Sequence, residues 1–542
     1  MSGLAVDVGT LLPALLPLAG VLVVLVADLV APRLRGLPYA VAVVASLGAA
    51  AAALPGVAAG AGTARTTLCL GLGWFSPGGG SPSGSGPVPY SSAMAALECL
   101  WRAGALGSSL QLGAGLAAAV CLALAWPVAR ARTGETTREP VEAVLFLTAL
   151  TGTVVVAASR DIGTWLVALE LATLPVIALV ALPGTRAALA GAMQLLVTSL
   201  VSFALLAVGA ALWFLATGAP FFSPDAALAA GPVPAGVEVA GAAASVTPPS
   251  VALLSLALVV ILAGLGFKLS LVPFHAWTPT AYAGSTPAVA TFLATVSKIG
   301  ALAALLVVVQ ALARLGAPGL LAVAVVSAVT MTLGNVMALR QDDVVRLLAW
   351  STVAQAGWVV LPLVSVSPLG QRSSGIYLLT YVAATLVAFA VVAHTVQQVG
   401  ARGRGMAAYA GLWQRSPWQA GALALALTSL AGLPPGVIGL VGKIVAFRPV
   451  VSEGWVWLAL VAAGNAVLGV AVYLRWLRPV VNPVEPEVLA AATQPGAAGQ
   501  PADGVVLPGR PRLAVQVALV ASGLVLVVVS VQPQLLLGLF GT

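Results

Sequence analysis

Apolar stretches of roughly 20 residues follow one another along almost the whole chain, each long enough to cross a hydrocarbon core of about 30 Å. In lipid every backbone donor and acceptor must be satisfied within the protein, so only helices or closed barrels can span. A barrel would need short alternating strands, and these runs are continuously apolar, so the reading is an all-α polytopic membrane protein. Composition agrees: 60% of the 542 residues are hydrophobic, 7% are charged, and the mean hydropathy is +1.06. Too few polar groups exist to cover a water-soluble surface. The net charge of +8 therefore reflects loop arginines and implies no nucleic-acid partner.

The periodicity places about 14 transmembrane helices at 11–30, 38–58, 107–128, 140–158, 161–182, 187–216, 251–274, 286–313, 318–339, 344–363, 374–399, 418–447, 455–477 and 513–538. The first has no preceding basic residues and no cleavage site, so it reads as a span and not as a removable signal. Residues 77–86, rich in Gly, Ser and Pro, read as a flexible loop, and 483–511 as a loose linker to the last span. With both termini on the outer face, 15 of the 21 arginines fall on the cytoplasmic side, including Arg138, Arg186, Arg340 and Arg475. Six fall outside: Arg65, Arg102, Arg160, Arg314, Arg372 and Arg448. That bias is the one expected of cytoplasmic loops. Cys69 and Cys99 share an outer loop, where a bridge or two free thiols are both compatible with the sequence, and Cys121 lies in a span.

Against 21 arginines the chain has three lysines, Lys268, Lys298 and Lys443, and all three lie inside spans. A basic group near the bilayer centre costs about 2.5–3.5 kcal/mol on insertion scales, so three of them require a reason. Lysine can give up its proton in a low-dielectric site, whereas guanidinium stays charged. Snorkelling of a long side chain to the interface is the alternative for lysines near a helix end. The matching acid is Glu170, about nine residues or roughly 14 Å below the outer boundary of its span. A carboxylate at that depth calls for a cation, and Lys268 reaches a comparable depth.

Two spans carry breakers beside a lysine. Pro273 and His275 follow Lys268 in the seventh, and Leu430-Ala-Gly-Leu-Pro-Pro-Gly436 precedes Lys443 in the twelfth. Broken helices 7 and 12 are thus expected, with Lys298 in an uninterrupted helix between them. Their odd separation makes them run in opposite directions, as in two inverted five-helix repeats. The chain then divides into 1–139, 140–313, 314–480 and 481–542. His275 and His394 are further candidate proton carriers near neutral pH, with a satisfied buried histidine as the alternative for each. No Cys/His cluster, phosphate loop or dinucleotide fingerprint is present, so no metal, nucleotide or redox centre is expected in this chain.

The stretch Leu265-Gly-Phe-Lys-Leu-Ser-Leu-Val-Pro-Phe-His-Ala-Trp-Thr-Pro279, with Tyr282, Gly284 and Thr286-Pro287, resembles a signature of the antiporter-like membrane subunits of respiratory complex I and of multisubunit cation/proton antiporters. Thr291-Phe-Leu-Ala-Thr-Val-Ser-Lys298, Arg346-Leu-Leu-Ala-Trp-Ser-Thr352 with Gly357-Trp358, and Leu430 to Pro435 with Gly439 and Gly442-Lys443 extend the resemblance over roughly 140–480. It implies a proton relay in which Glu170 and Lys268 form a charge-modulating pair, Lys298 connects along a central axis, and Lys443 serves a second half-channel. It further implies a bacterial plasma membrane location and other complex I membrane subunits as partners. Partner subunits would carry FMN and iron–sulfur clusters and couple NADH oxidation by quinone to translocation. A subunit of a sodium/proton antiporter is the alternative, although such chains usually show Lys-Ser-Ala-Gln and Trp-Leu-Pro where this one has Lys268-Leu-Ser-Leu271 and Trp277-Thr-Pro279. A purely structural subunit is a third reading, against which the retained lysines argue.

Overall fold

The computed structural model describes residues 6–31, 34, 36–59, 64–71, 97–126, 138–222, 251–309, 311, 316–483 and 513–540. The loop at 77–86, most of the 217–250 loop, nearly all of the linker, and Arg33, Arg35, Arg130, Arg132, Arg314, Arg510 and Arg512 lie outside the described residues.

The helices are α1 (Val8–Val30), α2 (Leu37–Ala58), α3 (Ala105–Ala125), α4 (Arg138–Val156), α5 (Ile162–Ala181) and α6 (Arg186–Thr217). The seventh span is α7 (Val251–Leu269) continued after a break by α8 (Trp277–Gly284), and the eighth is α9 (Pro287–Ala294) followed by α10 (Val296–Val308). Then come α11 (Gly316–Ala338), α12 (Val344–Val360), α13 (Pro368–Val399), α14 (Pro417–Ala431), α15 (Val437–Ser452), α16 (Val456–Val481), α17 (Leu513–Val531) and α18 (Gln534–Gly538). Thirteen spans among the described residues are long and apolar enough to cross a bilayer. The twelfth expected span is absent from that number because it is divided into α14 and α15, each too short alone.

Local chemistry sets the ends. Asp161 caps α5 by accepting from the Thr164 amide at 2.7 Å, and Thr185 caps α6 by accepting from the Ala188 amide. α13 opens with Ser367 as its cap and Pro368 in the first turn, where the missing N–H is harmless.

Burial sorts the spans. In an 18-residue apolar stretch of each, 89% of residues are buried in the eighth span and 94% in the tenth and eleventh, against 33% in α1 and α6. The central three are therefore sheathed in protein, and the peripheral ones present apolar faces suited to lipid.

The eighth span is not the uninterrupted helix expected. It breaks at Thr295, whose φ of −120° and ψ of −78° are non-helical, one turn before Lys298. The Thr291 and Thr295 hydroxyls both donate to carbonyls one turn back, at 2.6 and 2.7 Å, the same bond that Thr148, Thr151 and Thr153 make in the unbroken α4. The chain also contains a small hairpin, β1 (Arg65–Gly71) with β2 (Leu97–Ala103), antiparallel with Cys69 opposite Cys99. These two cysteines are joined as a disulfide, which resolves the open choice between bridge and free thiols, while Cys121 is free and buried.

Candidate functional site

Glu170 on α5 and Lys268 at the end of α7 form an ion pair, Nζ to Oε1 2.9 Å, and Lys268 Nζ also donates to Thr173 Oγ1 at 3.0 Å. Their side chains are only 15% and 7% exposed, so the pair is inside the protein, where unpaired charge is costly. A cavity of about 40 Å³ lies against Lys268 and is lined by Thr173, Ser199, Trp277 and Ser297 among others, room enough for water.

Helix α7 stops at Leu269 because the chain turns sharply at Ser270, whose φ is +66°, and Pro273 follows. A broken helix inside a bilayer must re-house the carbonyls it frees. The indole N–H of Trp277 donates to Phe267 O at 2.8 Å, and Lys298 Nζ donates to Lys268 O at 3.1 Å. Lys298 Nζ also donates to Ser270 Oγ at 2.6 Å and lies 4.9 Å from the Trp277 ring centroid. Ser270 Oγ in turn accepts from Thr278 Oγ1 at 2.6 Å. The break thus builds the Lys298 site from one turn of backbone, one hydroxyl and one ring face.

The twelfth span repeats this arrangement. α14 ends at Gly432, with φ +79°, and the freed carbonyl of Ala431 accepts from Lys443 Nζ. Lys443 Nζ lies 5.3 Å from the Trp358 ring centroid. Both lysines therefore sit at the carbonyl end of a half-helix, the negative pole of its dipole, with a tryptophan face beside the ammonium.

Next to the Lys443 site, where Tyr377 stacks on Trp358, lies an uncharged polar network on α12, α13 and α16. Tyr377 donates to Gln355 Oε1, Gln355 Nε2 donates to Tyr473 OH at 2.9 Å, and Ser351 pairs with Tyr473 at 2.6 Å. Thr352 pairs with Tyr381 at 2.9 Å. A gap of about 10 Å³ is lined by Gln355, Tyr377, Thr380, Tyr381 and Ser429, on the side of the network that faces α14.

The structure thus brings Glu170, Lys268 and Lys298 into one connected group and places Lys443 in a matching second site. It does not bring the histidines in. His275 packs its ring on Trp350, and His394 contacts Gln419 Nε2 and Trp418. Neither makes a hydrogen bond to a lysine among the described residues. Ser270, Thr173, Thr278, Gln355 and the three tyrosines are site residues that sequence reasoning missed. Only Ser270 carried a signal, its place between Lys268 and Pro273. Among the described residues no three His, Cys, Asp or Glu side chains cluster as a metal site.

Comparison with known proteins adds to this geometry. The family described as "NADH:quinone oxidoreductase/Mrp antiporter, TM" matches residues 159–469. NADH-quinone oxidoreductase subunit N of Salinispora tropica is 38% identical over 501 residues, 89% of this chain and 88% of its own. A chain of respiratory complex I from Thermus thermophilus superimposes with a TM-score of 0.68 at 26% identity, covering 97% of this chain and 98% of its own. A chain of the Mrp complex from Dietzia sp. shares the fold, with a TM-score of 0.74 at 22% identity over 99% of this chain and 96% of its own. The matched region takes in Glu170 and all three lysine sites, so the chain belongs to the NADH:quinone oxidoreductase/Mrp antiporter family of membrane subunits and, within it, to NADH-quinone oxidoreductase subunit N.

Proposed function

We propose that this chain is a proton-translocating membrane subunit of NADH-quinone oxidoreductase, located in the bacterial plasma membrane with both termini outside. Electron transfer in partner subunits that carry FMN and iron–sulfur clusters drives charge rearrangement along the line Glu170, Lys268, Lys298, Lys443. The observation that carries this reading is the repeated site: Lys298 and Lys443 are each buried, each on a carbonyl freed by a broken helix, and each beside a tryptophan face.

As an ammonium, Lys298 donates to Lys268 O and Ser270 Oγ; as an amine, it can accept from the Ser270 hydroxyl over the same 2.6 Å, so proton gain and loss need only a reversal of that bond. The Glu170 carboxylate holds charge on Lys268. When that pair separates, the uncompensated Lys268 charge disfavours a charged Lys298, and the proton leaves. The Gln355 and tyrosine network with enclosed water carries it toward the Lys443 site. The two halves, 140–313 and 314–480, act as inverted repeats, each contributing one half-channel.

Lys298→Met in the assembled complex tests this. Proton translocation coupled to NADH oxidation is expected to fall at least tenfold with assembly retained, and unaltered pumping would favour a structural role. Affinity purification separates the antiporter reading, since recovery with only antiporter-like chains and no flavin would support it.

A further inference from the structure

The ends of α3 and α13 meet at a cavity of about 200 Å³ on the face that carries the hairpin. Its walls include Arg102, Arg160 and Arg372, with Gln371, Gly104 and Phe540, and none of the described lining residues is acidic. Guanidinium groups gathered around one space repel one another, and an anion among them relieves that repulsion. Neither Arg102 nor Arg160 forms an ion pair among the described residues. Asp161, the adjacent acid, is not among the lining residues and caps α5 through Oδ2. Burial, and then the Arg102 charge, push the Arg160 guanidinium down to about 10, the direction expected of cations lacking a counter-charge.

Two helix starts add to the field. Gly104 precedes α3 without any side-chain cap, and Pro368, Gln371 and Arg372 belong to the first turn and a half of the 32-residue α13. Each start presents partial positive charge toward the cavity. The backbone that carries Arg102 and Arg160 is fixed in place, and so is the Arg160 guanidinium. The Arg102 amide donates to Ala158 O at 2.8 Å, the Arg160 amide to Leu100 O at 3.1 Å, and Arg160 Nη1 to Ser159 O at 3.0 Å. A carboxylate offers two oxygens, whereas a phosphate group offers three or four and can be shared among guanidinium forks and the N–H groups of two helix starts. Leu106 and Phe540 supply an apolar border, and the site lies at the membrane end of two spans, the level of lipid headgroups.

We propose that this cavity binds a phosphate-bearing anion, a phospholipid headgroup or free inorganic phosphate. The inference stands apart from the proton relay, because its readout is bound phosphate and not pumping. The assembled complex, delipidated, is compared with an Arg102→Gln/Arg372→Gln variant in two arms: native mass spectrometry after adding phosphatidylglycerol, and equilibrium dialysis with inorganic phosphate. One arm is expected to show about one more equivalent bound per chain in the unaltered protein, with binding weakened about tenfold for each guanidinium removed. The arm that responds identifies the source. Arg102 is exposed, so Arg102→Gln alone carries the comparison if the double variant fails to assemble. Binding by the variant equal to that of the unaltered protein in each of the two arms, or a neighbouring protein's carboxylate found among the three arginines in the assembled complex, would overturn the proposal.

Discussion

Ser270 shows how much of this site rests on one backbone conformation. It is fully buried, it accepts from both Lys298 and Thr278, and its φ of +66° lies in the left-handed region that L side chains avoid. Its two roles separate by substitution. Ser270→Gly relieves about 1 kcal/mol of strain but removes the hydroxyl, so thermal stability of the complex is expected to hold or rise while proton translocation falls. Ser270→Ala keeps the strain and also loses the hydroxyl, and it is expected to lower both. Equal translocation by all three proteins would exclude the hydroxyl from the relay. The lysines and Glu170 were legible in the sequence because a charge within an apolar run has few explanations. Ser270, Thr278, Tyr377 and Gln355 were not, since hydroxyls and amides occur throughout such helices. Their meaning comes from contacts such as Gln355 to Tyr473, 118 residues apart.

At the scale of elements, the breaks at Leu269 and Ala431 were legible from Pro273 and from the Pro434-Pro435 pair. The break at Thr295 was not, because no proline or glycine stands at that position and threonine hydroxyls make the same bonds in unbroken helices such as α4. Close packing of α15 on α14 depends on Gly439. A Cβ there would fall inside contact distance of the Ser429 carbonyl, which is backbone and cannot yield. Gly439→Ala is therefore expected to cost about 1–3 kcal/mol and to displace Lys443, read as a lower melting temperature of the isolated complex together with loss of translocation. Gly432→Ala acts more locally: its Cβ would stand 2.9 Å from Lys443 Cδ, and its φ of +79° disfavours any side chain.

For the molecule as a whole, the number and order of spans followed from apolar run length, while the hairpin did not. Its strands flank a stretch of Gly, Ser and Pro, and the pairing is made across about 30 residues of sequence. The Cys69–Cys99 bridge closes that loop and should stabilise it by about 3–4 kcal/mol through chain entropy. Cys69→Ser/Cys99→Ser is expected to leave the spans intact and make the hairpin sensitive to protease under conditions where the parent resists. Non-reduced peptide mass spectrometry should find the pair linked in the parent. Across the membrane interior, Lys268 belongs to two sites at once, with its side chain on Glu170 and its own carbonyl on Lys298. It works like a crank on a common shaft: any turn of that one peptide unit moves both contacts together, with no loose joint between them to absorb the stroke.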